Sequence, residues 1–537
     1  MRAYQPQNFR RAMSWLHSWT GLLLGWVLFA VFVTGTLSFF QREITLWMQP
    51  ELQVDSQGSD GIDTALAYLQ QHAAAAKRWS IDLPDSRGDT LQLTWGNGER
   101  RHDMQRVALN PATGEELFPR QTAGGNFFVR FHYELYGLSP RAGNWIVGIA
   151  TLFMFVALIT GIIIHRQIFK DFFTFRANKG ARSWQDGHNA TGVLILPFFL
   201  MITFSGLLLL GTELLPAVEK AMFGDSERGM HGAMHRHRGE SGGPEPVSSD
   251  VVPMTDLHQL VAAAQAAWPV NGVQSISISN PNTAQAEVEI AQGGSTSLSN
   301  RGMPNRLRFN GVTGEPLNED EADDRSWVSK LFFSFEGLHL GVYAMPVLRW
   351  LLFVSGLFGC VVIASGLVLW VATDHQKLRP GQRKPFALRL LEVLNVGSIA
   401  GILIGLAVYF WANRLLPVTL ENRRSWEINL FLISWGLTYL HALLRTHQQA
   451  WVEQLSLAGA LTLTLPVLNG MTGGMSLLHS LSAGQWQVAS FDLCALLLGG
   501  MYLYAAQKTH GYQPRPATAR PQASRITNAE QPQNSAG

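Results

Sequence analysis

Histidine occurs twice at the start of a long apolar run, each time with Thr-Gly beginning three residues later. The stretches HSWTG and HNATG place His17 and His188 four residues before Gly21 and Gly192. An ionisable side chain at the edge of an apolar segment is costly unless it is paired or acts as a ligand. Because imidazole is the commonest metal ligand among side chains, the repeated spacing suggests a liganding function.

A second pair of histidines precedes two other apolar runs. HYELY contains His132 and HLGVY contains His339, each followed four residues later by tyrosine. Two imidazoles from facing helices can ligate one haem iron, and helix bundles commonly hold cofactors in this way. The sequence predicts an outer haem held by His132 and His339 and an inner haem near His17 and His188. For any one of these histidines alone, interfacial hydrogen bonding is the alternative.

His165 leaves the inner pairing open. It directly follows TGIII (160–164), and the matching stretch SGLVL (365–369) is followed by Trp370 instead. The repeat therefore gives His165 no partner. It could replace His17 or His188 as an iron ligand, or hydrogen-bond a haem propionate together with Arg166.

Long apolar blocks must position these histidines. Hydrophobic residues make up 47% of the 537-residue chain, and eight blocks are long enough to cross a bilayer core of ~30 Å. Lys and Arg concentrate before the first block and after the second and fourth, which places these sides and the N-terminus in the cytoplasm. The predicted order is an N-terminus with the first span (1–41), an outer domain (42–142), a second span (143–166), a basic inner loop (167–187), a third span (188–212), a second outer domain (213–342), a fourth span (343–372), a basic inner loop (373–388), a C-terminal extension of about four spans (389–507) and a disordered tail (508–537).

The two outer stretches share a turn motif. ALNPATGEEL (108–117) and RFNGVTGEPL (308–317) both contain Asn-x-x-Thr-Gly-Glu-x-Leu, and Asn and Gly tolerate the positive φ of tight turns. Each follows a helix-like segment, DTALAYLQQHAAAAK or TDLHQLVAAAQAAW, and an alternating one, TLQLTW or AQAEVEIA. Each outer domain is therefore predicted to be a helix on a small antiparallel sheet, and the order span, outer domain, span occurs twice.

Several chemistries are disfavoured. The only cysteines, Cys360 and Cys494, lie in apolar runs, so neither a disulfide framework nor covalent c-type haem is expected. We find no Ser-His-Asp constellation and no nucleotide-binding glycine motif after a strand, and we expect no nucleic-acid partner. Electrons must then come from a separate donor, either a quinol in the membrane or a soluble flavoprotein on the basic inner loops.

One polar stretch, MHGAMHRHRG, offers a second type of metal site. Thioether and imidazole suit soft or borderline metals, and the surrounding Gly, Ser and Pro favour a flexible, solvated loop instead. The candidate ligands of this weak site are Met230, His231, Met234, His235 and His237. His375, in the basic loop after the fourth span, is expected to be solvated.

The order of WLHSWTGLLLGW, NPATGEEL, HYELYG, TGIIIHRQIFKDFFTFR, WQDGHNATG, GVTGEPL and LHLGVY resembles the PepSY-associated transmembrane family over about residues 10–380. That family includes iron-regulated proteins of the bacterial inner membrane and siderophore-iron reductases that carry b-type haem. The histidines that match are His17, His132, His165, His188 and His339.

The resemblance implies a mostly α-helical membrane protein with a duplicated four-helix transmembrane core and two small α+β PepSY-like periplasmic domains. It implies an oxidoreductase with two haem b groups that passes electrons outward to a ferric siderophore or another ferric chelate. The alternatives are a transporter of siderophore or peptide and a regulatory protein that binds a protease. The spans after about residue 388 lie beyond the family pattern and have no assigned role.

Overall fold

The fold is seen in a computed structural model that describes residues 6–54, 58–97, 103–165, 176, 180–223, 251–294, 298, 304–317, 326–379 and 382–512. Three expectations fall outside these residues: the role of Arg166, the metal site of Met230, His231, Met234, His235 and His237, and the tail after residue 512.

Most of the described chain is helical. The helices are α1 (Pro6–Leu23), α2 (Gly25–Ser38), α3 (Gln41–Met48), α4 (Ile62–His72), α5 (Asn126–Glu134), α6 (Pro140–Ile164), α7 (Ala181–Leu194), α8 (Leu196–Leu214), α9 (Pro216–Phe223), α10 (Leu257–Ala267), α11 (Trp327–Leu340), α12 (Pro346–Lys377), α13 (Phe386–Leu415), α14 (Arg423–Leu444), α15 (His447–Leu463), α16 (Leu465–Met471), α17 (Leu477–Ser482) and α18 (Trp486–His510), with a 3₁₀ turn at Pro50–Leu52.

Seven helical segments in the described residues are long and apolar enough to cross a membrane, and the bent pair α1–α2 makes up to eight. The chain is thus a multi-pass membrane protein. The first span is not one straight helix, because α1 and α2 meet at 65° next to Leu24. The third span is preceded by a separate helix, since Pro197 in the first turn of α8 cannot continue α7.

Helices α1 and α7 pack against a core made of α2, α6, α8 and α12. Helix α1 lies along α6, and α7 lies along α12. At the other end of the core, α5 packs on α2 and α11 packs on α8. Each of the four histidine-bearing helices therefore lies against a different core helix.

The strands of both outer stretches form one seven-stranded sheet in the order β4-β3-β2-β1-β5-β6-β7. The strands are β1 (Arg78–Asp82), β2 (Leu91–Gly96), β3 (Met104–Leu109), β4 (Glu116–Leu117), β5 (Val273–Ser279), β6 (Glu287–Gln292) and β7 (Arg306–Asn310). The sequence predicted one small sheet for each stretch, but β1 and β5 pair in antiparallel fashion. Because Trp79 and Ile81 lie opposite Ile278 and Ile276, the pairing merges two apolar faces into one core and leaves neither strand as an open edge.

The predicted turns are confirmed. The Asn110 side chain accepts a hydrogen bond from the N–H of Ala112 at 2.9 Å, and Gly114 has a φ of +73°. In the second copy, Asn310 accepts from the N–H of Val312 at 2.9 Å. Side-chain capping of this type and a glycine at positive φ explain why the motif needs Asn and Gly at these offsets.

The C-terminal extension (386–510) packs on α2, α3 and α12. Helix α13 is its most buried helix and contacts α2, α12 and α14. The seventh span has a helix break just before Pro466, since α15 ends at Leu463 and α16 begins at Leu465. This placement brings the extension against the helix that carries His132.

Candidate functional site

Two histidine pairs meet across the core. The rings of His17 and His188, the far-side pair, have centroids 6.3 Å apart. The rings of His132 and His339, the sheet-side pair, have centroids 6.0 Å apart. The residues that the sequence repeat treats as equivalent are therefore neighbours in space.

Each histidine donates a hydrogen bond from Nδ1 to a core helix. His17 binds the carbonyl of Ala157 at 2.8 Å, and His132 binds that of Val31 at 2.8 Å. A donating Nδ1 fixes the tautomer and leaves Nε2 as the lone-pair nitrogen.

The second half of the chain repeats this contact. His188 binds the carbonyl of Val362 at 2.9 Å. His339 lies 2.9 Å from the Ser205 hydroxyl, and the carbonyl of Ile202 also accepts from it. In all four cases the acceptor belongs to a helix other than the one that carries the histidine, so helix packing orients the ring.

A glycine makes each of these contacts possible. A Cβ at Gly35 would lie 2.6 Å from the His132 ring, and one at Gly206 would lie 3.1 Å from the His339 ring. The corresponding distances to His17 and His188 are 3.3 Å at Gly161 and 3.2 Å at Gly366. Ala or any larger residue would therefore push the imidazole off its carbonyl, most severely at Gly35.

A hydroxyl residue precedes each glycine: Thr34, Thr160, Ser205 and Ser365. Each hydroxyl donates to a carbonyl three or four residues earlier in its own helix. Sequence reasoning matched TGIII with SGLVL but gave these pairs no role, and it missed Thr34-Gly35 and Ser205-Gly206. The available signal was a Thr-Gly or Ser-Gly dipeptide within each of the first four apolar runs.

The ring spacing suits one metal ion between each pair. Imidazole nitrogens bind transition metals at about 2.0–2.1 Å, so two rings on opposite sides of one ion have centroids about 6 Å apart. The observed 6.3 Å and 6.0 Å agree with this spacing. The residues present therefore fit a metal ion, such as a haem iron, that two imidazoles would hold between them.

A cavity of about 630 Å³ surrounds the far-side pair. Gly21 and Gly192 line it, and a Cβ built on either would meet no protein atom within 4 Å. The predicted small residues thus face open space beside the ligands, and the volume lies in the ~300–1,000 Å³ range of cofactor pockets. His165 lines the same cavity, while the ring contact is between His17 and His188.

Burial favours the neutral form of both sheet-side imidazoles. Burial lowers the pKa of His132, and burial followed by repulsion from His132 lowers the pKa of His339 to about 3. The neutral form is the one that ligates a metal.

Other candidate groups have different surroundings. His375, expected to be solvated, is half-buried and places Nε2 2.8 Å from the buried carboxylate of Glu392, because α13 packs beside the end of α12. The described residues contain no group of three or more His, Cys, Asp or Glu side chains arranged to hold a metal ion directly. A bis-histidine haem, which supplies four ligands of its own, needs no such group.

A known sequence family matches the part of the chain that contains the candidate histidines. A sequence family described as "PepSY-associated TM region" matches residues 14–372, which include all four paired histidines and His165. The chain is also 27% identical over 338 residues to an uncharacterized protein of Pseudomonas aeruginosa. That alignment covers 59% of this chain and 79% of the relative.

Proposed function

The chain belongs to the PepSY-associated transmembrane family, and from that premise we propose that it is a haem-dependent reductase that passes electrons across the membrane to a ferric chelate, such as a ferric siderophore. The observation that carries the proposal is the duplicated histidine geometry. Two pairs have the spacing of axial iron ligands, and each ring is oriented through Nδ1 by a neighbouring helix.

The chain's own residues hold and orient two b-type haem groups in this proposal. His132 and His339 would ligate one, and His17 and His188 the other, with His165 on the cavity wall. Bound haem would supply iron that gains and loses one electron at a time. The glycines at 21 and 192 admit the macrocycle, and the apolar helices exclude water from it.

Haem groups at the two histidine pairs would divide electron transfer across the membrane into shorter steps. Fourteen residues separate His17 from Val31, the acceptor of His132, and fourteen separate His188 from Ile202, an acceptor of His339. At about 1.5 Å per helical residue this is at most roughly 21 Å, and the helix breaks shorten it. In this proposal the two pairs occupy different depths of a hydrocarbon core ~30 Å thick.

The direction of transfer follows from charge. Arg10 and Arg11 lie near the start of α1, Lys377 ends the fourth span and Arg379 follows it, so the positive-inside rule puts the far-side pair next to the cytoplasm. In a bacterial inner membrane the sheet then lies in the periplasm. A quinol or a reduced flavoprotein gives up the electrons, and each Fe(III) that gains one becomes Fe(II), which hard oxygen donors hold less strongly.

A transporter is the second class to weigh. Transporters place substrate-binding ionisable groups near the middle of the membrane. In the described candidate spans, every Asp, Glu, Lys and Arg lies within seven residues of a span end. This distribution favours electron transfer over transport. The other alternative, a regulatory protein that binds a protease, would need no cofactor.

The proposal is tested by the visible spectrum of the purified protein. Protein from haem-replete cells is expected to be red, to carry two non-covalent haems per chain, and to show the sharp reduced bands of six-coordinate, low-spin haem b. A colourless protein, or one with high-spin haem only, would reject the bis-histidine assignment. The same spectrum separates the reductase from the transporter and the regulatory protein.

A further inference from the structure

The helix that carries His132 is packed against the C-terminal extension. On α5, Phe127 and Phe131 are buried against Phe431 of α14, with ring centroids 5.1 Å and 5.8 Å apart. Phe127 also contacts Tyr409 of α13 at 4.8 Å. Phe131 is the residue directly before His132, so the extension contacts the helix next to the proposed ligand.

The segment that leads into α5 is anchored to the same two helices. The Tyr409 hydroxyl donates to the carbonyl of Gly124 at 2.9 Å. The Thr122 hydroxyl donates to Glu427 of α14 at 2.6 Å, and this carboxylate is also paired with Arg423. Breaking one of these hydrogen bonds would be costly, because it would leave a buried polar group with neither a protein partner nor water. Both the backbone entry and the apolar face of α5 are thus fixed by the extension.

The equivalent helix of the second half has a different environment. Helix α11, which carries His339, packs on α8, and its outward face exposes Trp327, Leu331 and Leu340. The two sheet-side ligands therefore occupy equivalent positions in the core but have unlike support. The extension contributes this support to His132 alone among the contacts described.

We propose that the C-terminal extension is a positioning scaffold for His132. This inference rests on the proposed function in one respect: the sheet-side pair must hold haem. Helices α13 and α14 fix the rotation of α5, and with it the direction of the His132 Nε2, while the His132 ring is confined on its other side by Gly35. Tyr409 and Phe431 are the positioning residues, and neither contacts the pair directly.

Two conservative variants test the scaffold in the full-length protein. Tyr409→Phe removes the hydrogen bond to Gly124, and Phe431→Leu loosens the aromatic packing on α5. Tyr439→Phe is the control, because it also removes a phenol hydroxyl of the extension; this hydroxyl is partly buried and bonded to Ser398 at 2.8 Å. The first measurement is hydrogen exchange of the α5 amides, which needs no haem.

We expect the exchange of the amides in Asn126–Glu134 to become about fivefold faster in Tyr409→Phe, the effect of one lost hydrogen bond, and unchanged in Tyr439→Phe. We also expect the low-spin electron paramagnetic resonance signal of the sheet-side haem to shift in both test variants while the far-side signal stays.

Unchanged α5 exchange and an unchanged sheet-side signal in both test variants would overturn the scaffold. Equal effects in Tyr439→Phe would overturn it too. Haem absent from the wild type would instead reject the proposed function, and the exchange result would still decide whether the extension fixes α5.

Discussion

Replacing His339 with alanine is expected to leave one haem per chain instead of two, with the far-side haem retained. The two pairs use different helices, and no histidine is shared between them. Alanine removes one axial ligand and leaves Ser205 without its imidazole partner. His132→Ala should give the same loss, because His132 supplies the ligand on the opposite face.

Haem content per chain, measured as the pyridine haemochrome and normalised to protein, checks this prediction. His72→Ala is the matched control, since His72 is an exposed histidine on α4 that bonds only its own helix at the carbonyl of Tyr68. Two haems with an unaltered spectrum in His339→Ala would show that the sheet-side pair is not a haem site. Elution of the variant as a folded monodisperse species by size exclusion guards against a misfolding explanation.

Filling the far-side cavity should remove the far-side haem and leave the sheet-side haem in place. Gly192→Leu adds a side chain whose Cβ would meet no protein atom within 4 Å and which lies at the wall of the cavity, so we expect little strain in the protein without haem. Leucine also has a helix propensity about 0.8 kcal/mol better than glycine. The haem-free variant should therefore be as stable as wild type or slightly more stable, whereas the far-side haem should be lost.

Two readouts on one sample make this prediction specific. The thermal midpoint of haem-free protein should stay or rise, and the haem content should fall by about one per chain. Gly500→Leu, at an exposed helical glycine of α18 with nothing within 4 Å, is the control and should keep both haems. Full haem content in Gly192→Leu would mean that the cavity is not where haem binds.

The paired histidines could be predicted from the sequence, because residue types and repeated spacings can be read directly from it. His17 pairs with His188 and His132 with His339, as the repeat predicted. The length of the apolar blocks also located the long helices, and the repeated Asn-x-x-Thr-Gly motif located the turns, because both features depend on local sequence. The assignment of haem and iron to the pairs stays a prediction for the experiments above.

What the sequence left out depends on contacts between distant segments. The carbonyl partners Ala157, Val31 and Val362 cannot be read from composition, because any helix residue has a carbonyl and only the crossing geometry selects one. The β1–β5 pairing joins strands about 195 residues apart, which no local pattern specifies. The support of α5 by Phe431 is hidden for the same reason.

His375 shows how local context can mislead. Its neighbours Asp374 and Lys377 are polar, which favoured a solvated side chain. Helix α13 nevertheless brings Glu392 to 2.8 Å, and a buried carboxylate needs hydrogen-bond donors around it. Lys384 and Arg389 supply two more, so the extension is joined to the end of α12 by a cluster of charges.

Reoxidation kinetics in oriented vesicles test transmembrane electron transfer most directly. Reduced protein in vesicles with the sheet side outward is exposed to a membrane-impermeant trishydroxamate chelate of Fe(III), and the reduced haem bands are followed with time. Reoxidation is predicted to be rapid in this orientation, at least tenfold slower in inside-out vesicles, and similarly slowed by His339→Ala but not by His72→Ala. Equal rates in both orientations, or in wild type and His339→Ala, would contradict an electron path that leaves the membrane through the sheet-side pair.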